Sequence, residues 1–188
     1  MQRSLNQFWP RAERKIYEEP KRLVRNGLAI AKAEMVGSRP RTVYTITPQG
    51  RKALRRWLAR ESSPPVFESE AILRVFLSDQ GKKSDLLAAI ASVRSAAQDS
   101  MLVGAERCQA YLATGGPFGE RHHVIALMAR FLTEQAQAYD RWAVWAEEQV
   151  AGWSDVVAPD WNPAPVFRDV IRRAPTRSAR TPPDSPST

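Results

Sequence analysis

A chain of 188 residues with 43% hydrophobic residues can bury a core and has room for one small domain and a second module. Its net charge of +8 is unevenly placed: residues 1–60 hold 15 Lys and Arg against 4 acids, residues 61–157 hold 8 against 13, and residues 158–188 hold 5 against 3. A single cysteine, Cys108, excludes an intrachain disulfide framework, and no stretch approaches the ~18 to 20 continuous apolar residues of a membrane span or the pattern of a signal peptide, so a cytoplasmic protein is expected.

Met1 to Phe8 reads as the end of an amphipathic helix, with Leu5 and Phe8 three residues apart, and Trp9 and Pro10 break it. Arg11 to Asn26 is the next expected helix. Ile16, Pro20, Leu23 and Val24 fall within about 100° of one another at 3.6 residues per turn, which makes one face for packing. The opposite arc carries Arg11, Arg14, Glu18, Lys21, Arg22 and Arg25, five cations and one carboxylate. Such an arc is costly unless an anion faces it, and duplex DNA is the candidate; taken alone, a cationic helix face is more often a solvated surface helix. Pro20 removes an amide donor, so a kink is expected near Ile16.

Leu28–Glu34 and Thr42–Ile46 are short runs with β-branched and aromatic residues. Between them Met35 to Arg41 is rich in turn residues, which predicts a hairpin with Arg39 and Arg41 at its tip. Beside the basic helix this makes two projections toward phosphate, the wing fixing register and the helix reading base edges in the major groove. Thr47 is placed to cap the next helix and Pro48 to occupy its first position, with Ala53, Leu54, Trp57 and Leu58 at helical spacing.

The run IYEEPKRLVRNGLA followed by GSRPRTVYTITPQGRKALRRWL resembles the PadR family of bacterial transcriptional regulators. The resemblance rests on Ile16 and Tyr17 opening the recognition helix, Lys21 to Leu23 within it, Gly27 and Leu28 at its exit, and the Tyr-x-Ile-Thr-x-x-Gly pattern from Tyr44 to Gly50. It implies a mainly α fold, a winged helix-turn-helix with a two-stranded wing followed by a helical dimerisation module. It also implies a homodimeric DNA-binding repressor, in that family often released by a small molecule. In the family two helices precede the region of Phe8 to Tyr17, so the chain is expected to be incomplete at its N-terminus and to leave a packing face of Ile16, Leu23, Leu54 and Leu58 uncovered. The residues expected at DNA are Arg11, Arg14, Lys15, Tyr17, Lys21, Arg22 and Arg25 on the helix and Arg39 and Arg41 on the wing.

Ser62, Ser63, Pro64 and Pro65 end the first domain, giving expected bounds of 1–61 for the winged helix and 66–157 for the helical module. Within the module Glu68–Leu77 is a short helix, and Ser84 is placed to cap a second that carries Leu86, Ile90, Val93, Ala97 and Met101 and runs to Ala113. Gly115, Gly116 and Pro117 turn the chain into a helix from Gly119 to Val150. Its expected stripe is Leu127, Phe131, Ala138, Trp142 and Trp145, widened by Met128, Leu132, Gln135, Tyr139, Ala146 and Val150. A helix of roughly 46 Å at 1.5 Å per residue is too long for so small a module to cover, which points to a second subunit. Phe131, Tyr139, Trp142 and Trp145 have two readings: core packing, the usual use of aromatics at helical spacing, or the lining of a cavity at the dimer interface for a small hydrophobic or aromatic effector.

From Ala158 to Thr188 Pro, Ser, Thr and Arg dominate, and most of this tail is expected to be disordered, with Val166–Arg173 at most two marginal helical turns. His122 and His123 are adjacent and point about 100° apart on a helix, so they cannot act together as i, i+4 metal ligands do. No phosphate-binding glycine loop, nucleophile elbow or Cys/His pairing with a third partner occurs, so neither an enzyme nor a cofactor is expected. Two rival readings remain: an architectural DNA binder without sequence preference, and a protein-interaction module whose degenerate winged helix no longer binds DNA.

Overall fold

The computed structural model describes residues 13–36, 39–116, 119–157 and 159–175, and the chain divides into two compact units at Glu68 and Ser69. In the first unit, α1 (Glu13–Arg25) is followed by an antiparallel hairpin of β1 (Ala29–Val36) and β2 (Arg39–Ile46) and then by α2 (Pro48–Leu58). The helix α1 is continuous through Pro20. It stops at Gly27, whose φ of 68° places it in the left-handed region where a side chain is disfavoured. The amide of Gly27 donates to the Val24 carbonyl at 3.0 Å and that of Leu28 to the Leu23 carbonyl at 2.9 Å, the paired bonds that close a helix end at a left-handed glycine.

The register pairs Ala29 with Ile46 and Val36 with Arg39, so the connection is two residues long and the wing is longer than expected. Pro40 sits one pair beyond the turn-flanking Val36–Arg39 pair, at a position whose nitrogen points away from the partner strand, and so costs the ladder no hydrogen bond. Leu23, Leu54 and Leu58, three of the four residues of the expected packing face, are 40%, 47% and 65% exposed. Nothing is described of the Ile16 side chain.

The second unit is built on two long helices, α4 (Lys83–Thr114) and α5 (His122–Ala151), preceded by α3 (Glu70–Phe76) and followed by α6 (Ala164–Arg173). The long pair is antiparallel: Lys83 reaches the end of α5, Arg94 reaches Asp140 and Glu147, and Tyr111 meets His122 edge to face at 5.6 Å. The core cluster joins Leu86 and Ile90 of α4 to Ala143, Ala146 and Val150 of α5 and to Val156 beyond it. Val93 and Ala97 extend the buried stripe of α4 as expected, Ala89 joins it, and Met101 is half-buried at its end.

Several boundaries differ from expectation for local reasons. The cap of α4 is not Ser84, which lies inside the helix; the chain enters at Lys82, whose amide donates to the Asp85 carboxylate at 3.0 Å. Gly119–Arg121 forms a turn of 3-10 helix, so α5 starts at His122. The tail carries a ten-residue helix where two marginal turns were expected, and Trp161, just before it, meets Trp153 in a tilted ring contact at 5.4 Å.

The larger correction concerns α5. Its buried residues are Ala136, Ala143, Ala146 and Val150, while Leu127 and Phe131 of the expected stripe are 71% and 55% exposed. The true seam is centred about 120° round the helix from that stripe; it takes in Ala146 and Val150, expected to widen the stripe, and adds Ala136 and Ala143. Alanines there let α5 approach α4 closely, which a line of aromatic rings would prevent.

Candidate nucleic-acid interface

All three elements of the winged unit leave one junction. Thr47 holds it together: its hydroxyl donates to the Gly27 carbonyl at 2.7 Å and accepts from the Gly50 amide at 3.0 Å, while its own amide donates to the Leu28 carbonyl at 3.1 Å. The end of α1, the base of the hairpin and the first turn of α2 are thereby fixed to one another. Gly50 completes the junction. A Cβ added there would lie 2.1 Å from the Leu28 carbonyl oxygen and 2.8 Å from Ile46 Cγ1, so only glycine lets α2 start against the hairpin. The Thr-Pro-x-Gly part of the sequence motif is thus the part that sets the angle between helix and wing.

Lys21, Arg22 and Arg25 of the expected DNA face are exposed on α1. Arg22 pairs with Glu19 at 2.7 Å, whereas Lys21 and Arg25 carry no ion pair among the described residues. Arg14, Lys15 and Tyr17 belong to the first turns of α1. Arg11 lies outside the described residues.

On the wing, Arg39 closes the hairpin at its tip in the pair with Val36, whereas Arg41 lies two residues down β2; the two connecting residues, Gly37 and Ser38, lie outside the described residues. Arg41 stands directly across from Glu34 and donates to its carboxylate at 3.2 Å, with 60% of its side chain exposed. The pleat puts Lys32 and Arg41 on one face of the hairpin. A cross-strand pair this open contributes little to stability, and the Arg41 guanidinium keeps donors free for a phosphate.

One set of cations fell outside the expected site. Residues 35–60 contain seven Lys and Arg and no Asp or Glu, and five of the seven are Arg51, Lys52, Arg55, Arg56 and Arg60 on and just after α2, all exposed. The acid-free run was legible in the sequence as a signal in its own right.

The four aromatics proposed for an effector cavity do not share one environment. Trp142 is half-buried and packs on the α4–α5 core, as Trp153 does, Tyr139 is half-buried, and Phe131 and Trp145 are exposed. A surface hollow in the second unit lies elsewhere, with Leu73, Leu77 and Leu86 as its apolar floor and Glu70, Arg74 and Asp85 at its rim. Among the described residues no helix is long and apolar enough to cross a membrane.

No protein-family model and no curated protein matches the chain. Solved structures do. The smu.1604c protein of Streptococcus mutans superimposes with a TM-score of 0.64 at 19% identity, over 78% of this chain and 83% of that one. PadR of Bacillus subtilis in complex with operator DNA gives 0.61 at 18% identity, over 78% and 84%. The PadR-like transcriptional regulator BC1756 of Bacillus cereus gives 0.61 at 15% identity, over 77% and 79%. The chain has the PadR-like winged-helix fold. At these identities the likeness is one of architecture, and the B. subtilis PadR has also been solved with p-coumaric acid.

Proposed function

We propose that this PadR-like chain is a sequence-specific DNA-binding transcriptional regulator, a repressor that acts as a homodimer. The observation that carries the reading is the junction at Thr47, which holds the cationic face of α1 and the Arg41 face of the wing in one rigid unit, the pair of projections that a duplex accepts as groove helix and backbone contact. The operator complex of the B. subtilis relative supports it. Arg14, Lys15, Tyr17, Lys21, Arg22 and Arg25, with Arg11 before them, are the helix contacts in this reading, and Arg39 and Arg41 the wing contacts.

The test is selection of a binding sequence from a random duplex pool by the full chain, followed by titration at several salt concentrations. A recovered motif with two half-sites supports the reading, and Arg25→Ala should lower the slope of log affinity against log salt by about one if Arg25 meets a phosphate. Recovery of no motif with binding intact points to an architectural binder. No duplex binding at all favours the protein-interaction reading, for which the exposed Leu54, Trp57 and Leu58 of α2 already provide an apolar surface.

The homodimer is supported by the exposed Leu127 and Phe131 of α5 and Leu102 and Leu112 of α4, apolar side chains that a second copy would cover. Sedimentation should show a dimer for the parent and monomer or misfolded material for Phe131→Asp. Release by a small aromatic effector rests on the p-coumaric acid complex of the relative, since Phe131, Tyr139, Trp142 and Trp145 share no single environment within one copy of the chain. Operator affinity that is unmoved across a panel of hydroxycinnamic and related aromatic acids would remove it.

A further inference from the structure

The cations of α2 contrast with five arginines of the second unit that stand against acids. There Arg74 sits against Glu70, Arg94 against Asp140 and Glu147, Arg130 against Glu134, and Arg172 and Arg173 against Asp169. Arg51, Lys52, Arg55, Arg56 and Arg60 have no ion pair among the described residues, and no acid lies between Glu34 and Glu61 to provide one locally. At 100° per residue Arg51, Arg55, Lys52 and Arg56 span about 140° of arc, centred opposite Gly50, the residue that faces the hairpin. Packing therefore turns these four charges outward. Mutual repulsion of four exposed cations in two turns disfavours the free helix slightly, and it is relieved when a polyanion neutralises them.

We propose that this outward face of α2 is a further phosphate-binding surface for duplex DNA, in addition to α1 and the wing. The inference rests on the DNA-binding reading above. Its ground is continuity: α2 starts at Thr47, within hydrogen-bond distance of the end of α1 and the base of the wing, so a duplex against those elements runs close to the first turn of α2. Eleven residues span about 16 Å at 1.5 Å per residue, the axial length of roughly five phosphates of one strand at 3.4 Å each. Contacts of this kind carry no sequence information; they strengthen binding to any duplex and steepen its dependence on salt. An anionic lipid surface is the competing occupant of a basic amphipathic helix, and a three-turn helix rooted in the DNA-facing junction suits it less.

The experiment titrates the full-length chain, its Arg25→Ala variant and a quadruple variant (Arg51→Gln, Lys52→Gln, Arg55→Gln, Arg56→Gln) against a labelled 30-bp duplex of random sequence from about 50 to 200 mM salt. The quadruple variant should lower the log–log salt slope by about two to four and weaken binding at about 150 mM salt by roughly tenfold or more, with its melting curve close to the parent's. A variant with Arg51, Arg55 and Arg56 all changed to Lys should keep the parent slope, because charge and not guanidinium geometry is what acts. If the quadruple variant keeps the parent slope while Arg25→Ala loses about one, α2 is not at the DNA and only this inference falls. If the parent binds no duplex, the regulator reading and this inference fall together. If the quadruple variant keeps its DNA slope and loses binding to vesicles containing about 30% phosphatidylserine, α2 is a lipid-facing helix and the inference is overturned.

Discussion

In the helical unit Leu86 and Ile90 are almost wholly buried against Ala143 and Val150, and arginines stand against carboxylates; in the winged unit Ala29 is the buried hydrophobic side chain among the described residues, and the cations of α2 stand alone. The helical unit is held by packing, with the Arg94 ion pairs adding little because they are partly open to water. The winged unit is held by hydrogen bonds at its one junction and by the hairpin ladder. A region organised in that way can spend its surface on charge that does nothing for folding. The two units should therefore respond oppositely to substitution, the helical one through its seam and the winged one through its junction and its affinity for polyanions.

The largest expected effect is Ile90→Ala, which empties a position 1% exposed and should cost about 2 to 5 kcal/mol in urea unfolding followed by helical circular dichroism. A loss under about 1 kcal/mol would mean that the seam relaxes freely and that the contrast between the units is overstated. Gly50→Ala comes next. Its methyl would enter the space of the Leu28 carbonyl, and a cost of about 1 to 3 kcal/mol is expected, read by hydrogen exchange as lost protection in peptides covering residues 24–50 with those of α4 and α5 unchanged. Thr47→Val removes the cap and the bond to Gly27 while keeping the shape, and should cost about 0.5 to 2 kcal/mol in the same peptides. Loss of protection spread evenly over both units would show that they unfold as one. The smallest effect on stability is Arg41→Gln, within about 0.5 kcal/mol, yet it should lower the salt slope of DNA binding by about one if the wing meets a phosphate.

Much of the winged unit was legible because its signals are local. Gly27 ends a helix through its own φ, Thr47 and Pro48 start one through a hydroxyl and a fixed ring, and each acts on neighbours within three or four residues. The stripe of α4 was legible as well, since polar residues mark the other side of that helix and leave one arc to pack. Placement within the wing was less so. The sequence offered turn residues from Gly37 to Pro40, and cross-strand pairing chose the shortest loop among them, which moved Arg41 from the tip to a position opposite Glu34.

By itself, then, the sequence determined the order of helix, hairpin and helix, the basic character of that unit, the long helical pair and the turn between its helices. What tertiary structure alone decided was which side of α5 faces α4. That helix is apolar over much of its circumference, with alanines on one arc and Leu127, Phe131 and Trp145 on another, so its periodicity admits more than one inward face. Hydrophobicity favours the aromatic arc and close packing favours the alanines. The second prevailed because Leu86, Ile90 and Val93 project from α4 and need small residues opposite them, a complementarity between two helices that no pattern within either one contains.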